Sequence, residues 1–173
     1  MENLIETYKN NYASDLKNRK KFFKKEISKS EIVYKAALSH NDKDKIFSHQ
    51  KRIGRKKVEL AANRIQEFEQ LILSAESFDD IFEYTEKIRK LKIGVGHLWS
   101  YDTALHIGFN LNIHPDEIYV QSGVVNGIKM FYPHLEIKRK MEKNLFIGLE
   151  SLEPFEIENF LCTMSRKNKR HSY

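Results

Sequence analysis

The stretch KIGVGHLWSYDTALHIGF, residues 92–109, decides the fold that the sequence predicts. Its Gly-Val-Gly turn, residues 94–96, lies between two segments whose apolar residues recur at helical spacing. We predict one helix over 77–91, before the turn, and a second helix over 98–111, after it. Ser77 and Asp80, three residues later, resemble a capping box at the start of the first helix. Two glycines at so short a connection are typical of a tight hairpin of two helices.

The rest of the chain is also predicted to be helical. Three prolines and seven glycines in 173 residues are too few for an all-β fold with many turns. We therefore expect an all-α protein, in which a helical N-terminal region packs on a helical body that contains the hairpin. The further predicted helices cover residues 14–28, 30–38, 43–75, 122–131 and 152–167. Ser30 and Ser122 are expected N-caps, and Gly54 is a candidate break near the front of the 43–75 helix. Gly127, inside the 122–131 helix, is expected to allow close packing or close approach of a ligand.

Charge divides the chain into three segments. Residues 1–57 hold 16 Lys and Arg against 7 Asp and Glu, whereas residues 58–165 hold 10 against 17. Residues 166–173 add four basic residues and no acidic one. We predict a basic helical N-terminal region, a helical body whose hairpin motif covers residues 77–111, and a basic flexible tail. Such asymmetry indicates a polyanionic partner.

Cysteine content and hydropathy bear on the location of the protein. Cys162 is the single cysteine, so no internal disulfide can form, and an intracellular setting is favoured. No apolar run approaches the length of about 18 residues that a membrane helix needs. The first residues lack the basic and apolar regions of a secretory signal. We expect a cytoplasmic protein that does not enter a membrane.

The Gly-Val-Gly turn is predicted to bind an anion. Both glycines are expected to adopt positive φ angles and to expose backbone N–H groups. The N-terminus of the following helix adds partial positive charge, which suits one backbone phosphate. The predicted contacts are Gly94, Val95, Gly96, His97, Lys90 and Lys92. In the alternative interpretation the turn is only structural, and the Val95 side chain fills the core.

A second predicted phosphate-binding region lies in KNRKKFFKKEISK, residues 17–29. Lysine contacts with phosphates dominate nucleic-acid affinity, and the candidates here are Lys20, Lys21, Lys24 and Lys25. Phe22 and Phe23 interrupt the charges as core residues would. The stretch is therefore equally consistent with a solvated helix face. A further basic stretch, HQKRIGRKK at residues 49–57, is also predicted to supply several phosphate contacts.

The hairpin resembles a known motif. IRKLKIGVGHLWSYDTALHIGF is similar to the helix–hairpin–helix motif, and the later IYVQSGVVNG is similar to the segment that follows the hairpin in the helix–hairpin–helix DNA glycosylase superfamily. The resemblance covers residues 77–132 and implies a nucleic-acid partner. The hairpin carries about two extra residues before Thr-Ala. The matching positions are Ile93, Gly94, Val95, Gly96, Thr103 and Ala104.

The resemblance does not extend to the catalytic positions. Base-excision enzymes of that superfamily often place a lysine before the Thr-Ala and an aspartate before the later helix. Asp102 and Gln121 stand at these positions here, and neither supplies the required chemistry. We therefore expect no base excision, no catalytic residue and no cofactor. The segment YDTALHIG also resembles small bacterial proteins of unknown function, which adds no function.

Two alternatives to a nucleic-acid-binding protein remain. An enzyme or small-anion binder would use a pocket between the Gly94–Gly96 turn and the start of the helix at Ser122–Gly127, lined by Asp102, His106, Gln121 and Lys129. The net acidic charge of residues 58–165 favours this alternative, because it would repel DNA. No metal-ligand spacing accompanies these residues, so we expect no metal. The third possibility is a protein-interaction module that forms a homodimer through the 43–75 helix.

Overall fold

The computed structural model of the chain describes residues 1–25, 27–41, 43 and 45–170, without the side chains of His49 and residues 168–170. It is 64% helical and has a small two-stranded sheet, so the predicted all-α class is confirmed. Within the described part of the chain, no helix is both long and apolar enough to cross a bilayer.

The helices and strands follow one another along the chain in a simple order. The α-helices are α1 (Glu2–Asn11), α2 (Ser14–Lys25), α3 (Ile32–Ala37), α4 (Arg55–Ile65), α5 (Glu69–Leu73), α6 (Phe78–Lys90), α7 (His97–Leu111), α8 (Ser122–Phe131) and α9 (Pro154–Arg170). The strands are β1 (Glu117–Tyr119) and β2 (Lys140–Glu142). Short 3₁₀ turns cover Ser48–Gln50, Gln66–Phe68 and Lys143–Leu145.

The chain forms two compact units. The central unit consists of residues 18–114, and the terminal unit combines residues 1–17 with residues 115–173. These boundaries differ from the three segments that the charge predicts, because packing joins the hairpin to the basic residues that precede it. The central unit holds 19 Lys and Arg against 13 Asp and Glu, a formal charge of +6, whereas the terminal unit holds 11 of each.

The core of the central unit is built from helices that each bury one face. The heptad stripe Val58, Ile65 and Ile72 is completely buried. The same stripe predicts a long helix over 43–75 with a break at Gly54; the break is confirmed, but the extent of the helix is wrong. Gly54, at φ 86°, precedes α4, and a 3₁₀ turn separates α4 from α5. The homodimer through the 43–75 region stays a prediction, and the buried apolar stripe is not available to it because the stripe packs inside the unit.

The terminal unit is held together by close packing of α8 against α9. Strand β1 pairs with β2 in antiparallel register, with Ile118 opposite Met141, and both residues are buried. Helix α9 begins at Pro154, as expected for a first-turn proline, and continues through Arg170. Residues 166–170 are thus helical, residues 171–173 lie outside the description, and the flexibility of the tail stays a prediction.

Several helix boundaries differ from the sequence prediction. Helix α1 carries no strong signal in the sequence and was not predicted. Helix α3 has Glu31 rather than Ser30 at its N-cap, and α8 has Gln121 rather than Ser122 there. In neither helix does the side chain of the N-cap residue hydrogen-bond the helix backbone. The interaction for which serine is preferred at an N-cap is therefore absent at both positions.

Candidate nucleic-acid interface at the α6–α7 hairpin

Helix α6 begins with a capping box. The Ser77 hydroxyl accepts a hydrogen bond from the Asp80 backbone N–H at 3.2 Å, and the Asp80 carboxylate accepts one from the Ser77 N–H at 3.0 Å. The Ser77 hydroxyl and amide lower the pKa of Asp80, because both donate to its carboxylate. The cap predicted from the sequence is confirmed, and it fixes the register of the helix that leads into the hairpin.

The turn between α6 and α7 uses its two glycines differently. Gly94 has φ 95°, in the region that favours glycine. Gly96 has φ −101° and ψ 176°, which is extended backbone open to any residue. The prediction of positive φ is thus confirmed for Gly94 and wrong for Gly96. Gly96 is instead the N-cap of α7, where extended backbone is the usual conformation.

The turn is at once exposed and anchored. Gly94 and Gly96 are exposed, whereas Val95 between them retains only 7% of its exposure and lies in the core. Trp99 is completely buried one turn into α7 and donates its indole N–H to the Ala37 carbonyl at 2.9 Å. The core position of Val95 agrees with the structural interpretation of the turn and leaves the flanking glycine backbone at the surface.

A lysine from another helix covers the turn. A Cβ placed on Gly94 would lie 2.9 Å from Cδ and 3.3 Å from Nζ of Lys57 in α4. The Lys57 side chain therefore lies across the face of the turn and brings its ammonium group there. Lys90 and Lys92 are also exposed, at the end of α6 and in the turn. One lysine therefore contacts the exposed turn from another helix, and two more lie close to it in sequence.

An acidic residue near the turn is neutralised within the hairpin. Glu86 of α6 accepts two hydrogen bonds from Arg89, at 2.8 and 2.7 Å, and its carboxylate lies 2.9 Å from Nδ1 of His97. Burial raises the pKa of Glu86, but hydrogen bonds from Arg89, His97 and Ser100 outweigh burial and lower it to about 2. His97, a predicted phosphate contact, therefore directs its Nδ1 to Glu86.

The basic face of α2 belongs to the central unit from residue 18 onward. Lys21, Lys24 and Lys25 are exposed, whereas Lys20 is half-buried, with Nζ 5.7 Å from the centroid of the Phe109 ring. Phe23 is completely buried, as the interruption of the charges suggested.

Helix α7 also binds the end of α2. The Asn110 side-chain amide donates to the carbonyls of Phe23 and Ile27, each at 2.8 Å. The second helix of the hairpin is therefore joined to the end of the basic helix by two hydrogen bonds.

Asp102 and His106 lie in the interior of the central unit. Asp102 is 5% exposed and accepts a hydrogen bond from Nε2 of Gln50. His106 is completely buried and stacks on Phe23, with ring centroids 4.1 Å apart and planes inclined by 13°. Neither residue presents a reactive group at the surface. No group of three or more potential metal ligands occurs among the described residues.

The other two residues of the predicted pocket belong to the terminal unit. Gln121 is the half-buried N-cap of α8, and Lys129 is exposed near the end of that helix. The two glycines of α8 have a packing role. A Cβ on Gly123 would overlap Sγ of Cys162, and one on Gly127 would lie 2.5 Å from the Leu161 carbonyl oxygen. The interior glycine thus allows close helix contact, one of the two roles expected for it.

Sequence reasoning missed three residues that shape the hairpin. Lys57 belongs to the basic run HQKRIGRKK, but nothing local indicates that it reaches Gly94. Gln50 lies in the 3₁₀ turn Ser48–Gln50, and nothing in the sequence indicates its contact with Asp102. Glu86 follows Phe82 and Tyr84 in α6. Apolar residues were expected to form the buried face of this helix, so the burial of a glutamate was not expected.

Comparisons of the chain with protein-family models, with curated proteins and with solved structures give no match. The fold and the interface define a predominantly α-helical protein with a helical hairpin whose turn is flanked by exposed lysines.

Proposed function

We propose that the protein binds nucleic acid, with DNA as the expected ligand, and that it does so without catalysis. The observation that carries the proposal is the position of Lys57 across Gly94, at an exposed turn that also carries Lys90 and Lys92. An ammonium group beside glycine backbone and a helix N-terminus suits a phosphate oxygen. The resemblance to the helix–hairpin–helix motif supports the same ligand.

The distribution of charge supports the proposal as well. The acidic segment 58–165 argued against DNA, but the structure divides that segment between the two units. The hairpin shares the central unit, at +6, with residues 18–57, which include most of the basic N-terminal residues. A cationic unit attracts polyanions over distances of about a Debye length, roughly 8–10 Å at physiological salt.

The alternative functions have weaker support. A small-molecule site would draw on Asp102 and His106, and both are buried against other side chains. A protein-interaction role would need a surface other than the predicted long helix. We also propose a cytoplasmic location, for which the single cysteine is the support.

The proposal is tested by fluorescence anisotropy with a labelled 20-base-pair duplex at several KCl concentrations. We expect affinity to fall steeply with salt, since each phosphate contact contributes a slope of about −0.9 to log K against log salt. Lys57→Gln should weaken binding and reduce the magnitude of that slope by about 1.

Arg64→Gln is the matched control for Lys57→Gln. Arg64 lies in the same helix, is exposed and pairs with Glu67 at 2.9 Å. The Arg64→Gln substitution removes the same charge at a site away from the turn, so it should weaken duplex binding less than Lys57→Gln does. Absence of binding at 50 mM KCl, or equal losses in the two variants, would contradict the proposal.

A further inference from the structure

Residues 51–57, which we call the basic segment, are joined to the hairpin at both ends. Directly before the segment, Gln50 donates from Nε2 to the Asp102 carboxylate in α7. At its other end, the Lys57 side chain lies across Gly94. Two contacts, each between residues that are far apart in sequence, thus place the segment beside the α6–α7 turn.

The basic segment is dense in charge and exposed. Its sequence, KRIGRKK, contains five cations and no acidic residue. All five cations are exposed: Lys51, Arg52, Arg55, Lys56 and Lys57. Like charges at this density repel one another, so the segment needs attachments to remain compact. Gln50 is only 1% exposed, which makes it a buried anchor for an exposed strip of charge.

Backbone hydrogen bonds connect Gln50 to the basic segment that follows it. The Gln50 N–H donates to the Phe47 carbonyl at 2.8 Å, and the Ile53 N–H donates to the Gln50 carbonyl at 3.0 Å. Gly54, with φ 86°, then turns the chain into α4. The position of Gln50 therefore determines where Lys51 and Arg52 lie.

We infer that Asp102 is a positioning residue, which holds the basic segment beside the hairpin turn through Gln50, so that segment and turn bind neighbouring phosphates of one nucleic-acid backbone. The inference rests on the proposed function for its ligand. A carboxylate acceptor strengthens a hydrogen bond to the amide relative to a neutral one, and burial protects it from water. Asp102 thereby acts through Gln50 and never touches the ligand.

The first experiment needs no nucleic acid. Limited trypsin digestion of the full chain, followed by mass spectrometry, measures cleavage after Lys51 and Arg52. We expect Gln50→Met to accelerate this cleavage at least about tenfold, because proteolysis follows the population of locally opened chain. Cleavage after Lys138 and Arg139, exposed in the terminal unit, should not change.

A milder variant covers the case in which Gln50→Met disturbs the whole fold and accelerates both cleavages. Gln50→Asn keeps the amide but is one methylene too short to reach Asp102. It should raise cleavage after Lys51 and Arg52 relative to cleavage after Lys138 and Arg139. An unchanged ratio in the folded variants would overturn the inference.

The second experiment measures coupling in duplex binding. At about 0.1 M salt, Arg52→Gln should weaken wild-type binding about five- to tenfold, the share of one phosphate contact. In the Gln50→Met background the same substitution should weaken binding less than about twofold, because Arg52 is no longer held in place. Lys92→Gln, in the turn itself, should cost the same factor in both backgrounds.

A merely structural role for Gln50 would reduce the Arg52 and Lys92 effects alike, and that result would overturn the inference. The two experiments separate the inference from the function on which it rests. If the duplex does not bind at all, the proposed function fails, whereas the proteolysis result still decides whether Asp102 and Gln50 hold the segment.

Discussion

Gly127 and Leu161 bring α8 and α9 into backbone contact. A Cβ on Gly127 would lie 2.5 Å from the Leu161 carbonyl oxygen and 2.6 Å from the Leu161 Cβ. Real side chains do not approach so closely, and carbonyl oxygens in a helix cannot move aside without disturbing it. The contact stabilises the terminal unit, and it accounts for a glycine in the interior of a helix.

Gly127→Ala should therefore destabilise the protein, although alanine is the better helix former by about 1 kcal/mol. Overpacking in a close contact costs about 1–3 kcal/mol, and here the obstacle is backbone, so we expect a net loss of about 2 kcal/mol. Urea unfolding followed by circular dichroism measures it. Asn126→Ala, at the exposed neighbouring position, is the control and should remain within about 0.5 kcal/mol of wild type.

The two glycines of the hairpin turn should respond differently to alanine. Gly94→Ala places a side chain at φ 95° and against Lys57, so it should cost about 1–2 kcal/mol. Gly96→Ala meets no atom within 4 Å and keeps an ordinary φ, so it should lose only the N-cap preference of glycine, about 0.5 kcal/mol. Chemical denaturation of both variants gives the comparison. Equal losses of unfolding free energy in the two variants would show that a side chain at Gly94 causes no additional backbone strain.

A negative charge introduced into the turn should have different consequences at Val95 and at Lys92. Val95→Asp buries a carboxylate where Val95 is 7% exposed, so it should destabilise the protein by about 3 kcal/mol or more. Lys92→Asp adds a carboxylate at an exposed position, so it should preserve the fold and weaken duplex binding. Thermal melts and anisotropy on both variants test this. A Val95→Asp variant with the wild-type melting temperature would contradict the core position of Val95.

The hairpin could be predicted from the sequence because its signals are local. Ser77 and Asp80 indicate the start of α6, and the glycine turn separates α6 from α7 within a few residues. The 43–75 region failed for the opposite reason. Its heptad stripe is real and buried, and Gly54 signals the break before α4, but periodicity does not show the 3₁₀ turn that separates α4 from α5.

The candidate interface was predictable only in part. Lys90 and Lys92 adjoin the turn in sequence, so their position there follows directly. Lys57 reaches Gly94 from another helix, and Gln50 reaches Asp102 across 52 residues. Such contacts depend on how α4 packs in the core, which no local pattern encodes. For the same reason Asp102 looked like a candidate ligand, although folding buries it.

The Glu86 cluster gives a pH dependence of stability with a definite sign. The pKa of Glu86 is about 2 in the folded protein against an ordinary value of 4.5, so the unfolded chain binds more protons between these values. Stability should therefore be complete above about pH 5 and should fall as pH decreases through about 2. Glu86→Gln removes this contribution, which amounts to at most about 3 kcal/mol.

Urea unfolding of wild type and Glu86→Gln at pH 6 and pH 2.5 measures the difference. We expect the variant to be less stable than wild type at pH 6 and the gap to narrow at pH 2.5, because there Glu86 is protonated in the unfolded chain and mostly ionised in the folded protein. Glu83→Gln is the control, because Glu83 lies in the same helix in an exposed ion pair with Lys87 at 3.1 Å. Exposed pairs contribute little, so this variant should differ from wild type by less than about 0.5 kcal/mol at both pH values. A gap for Glu86→Gln that stays constant between pH 6 and pH 2.5 would contradict the lowered pKa and, with it, the stabilisation of the Glu86 carboxylate by its hydrogen bonds to Arg89 and His97.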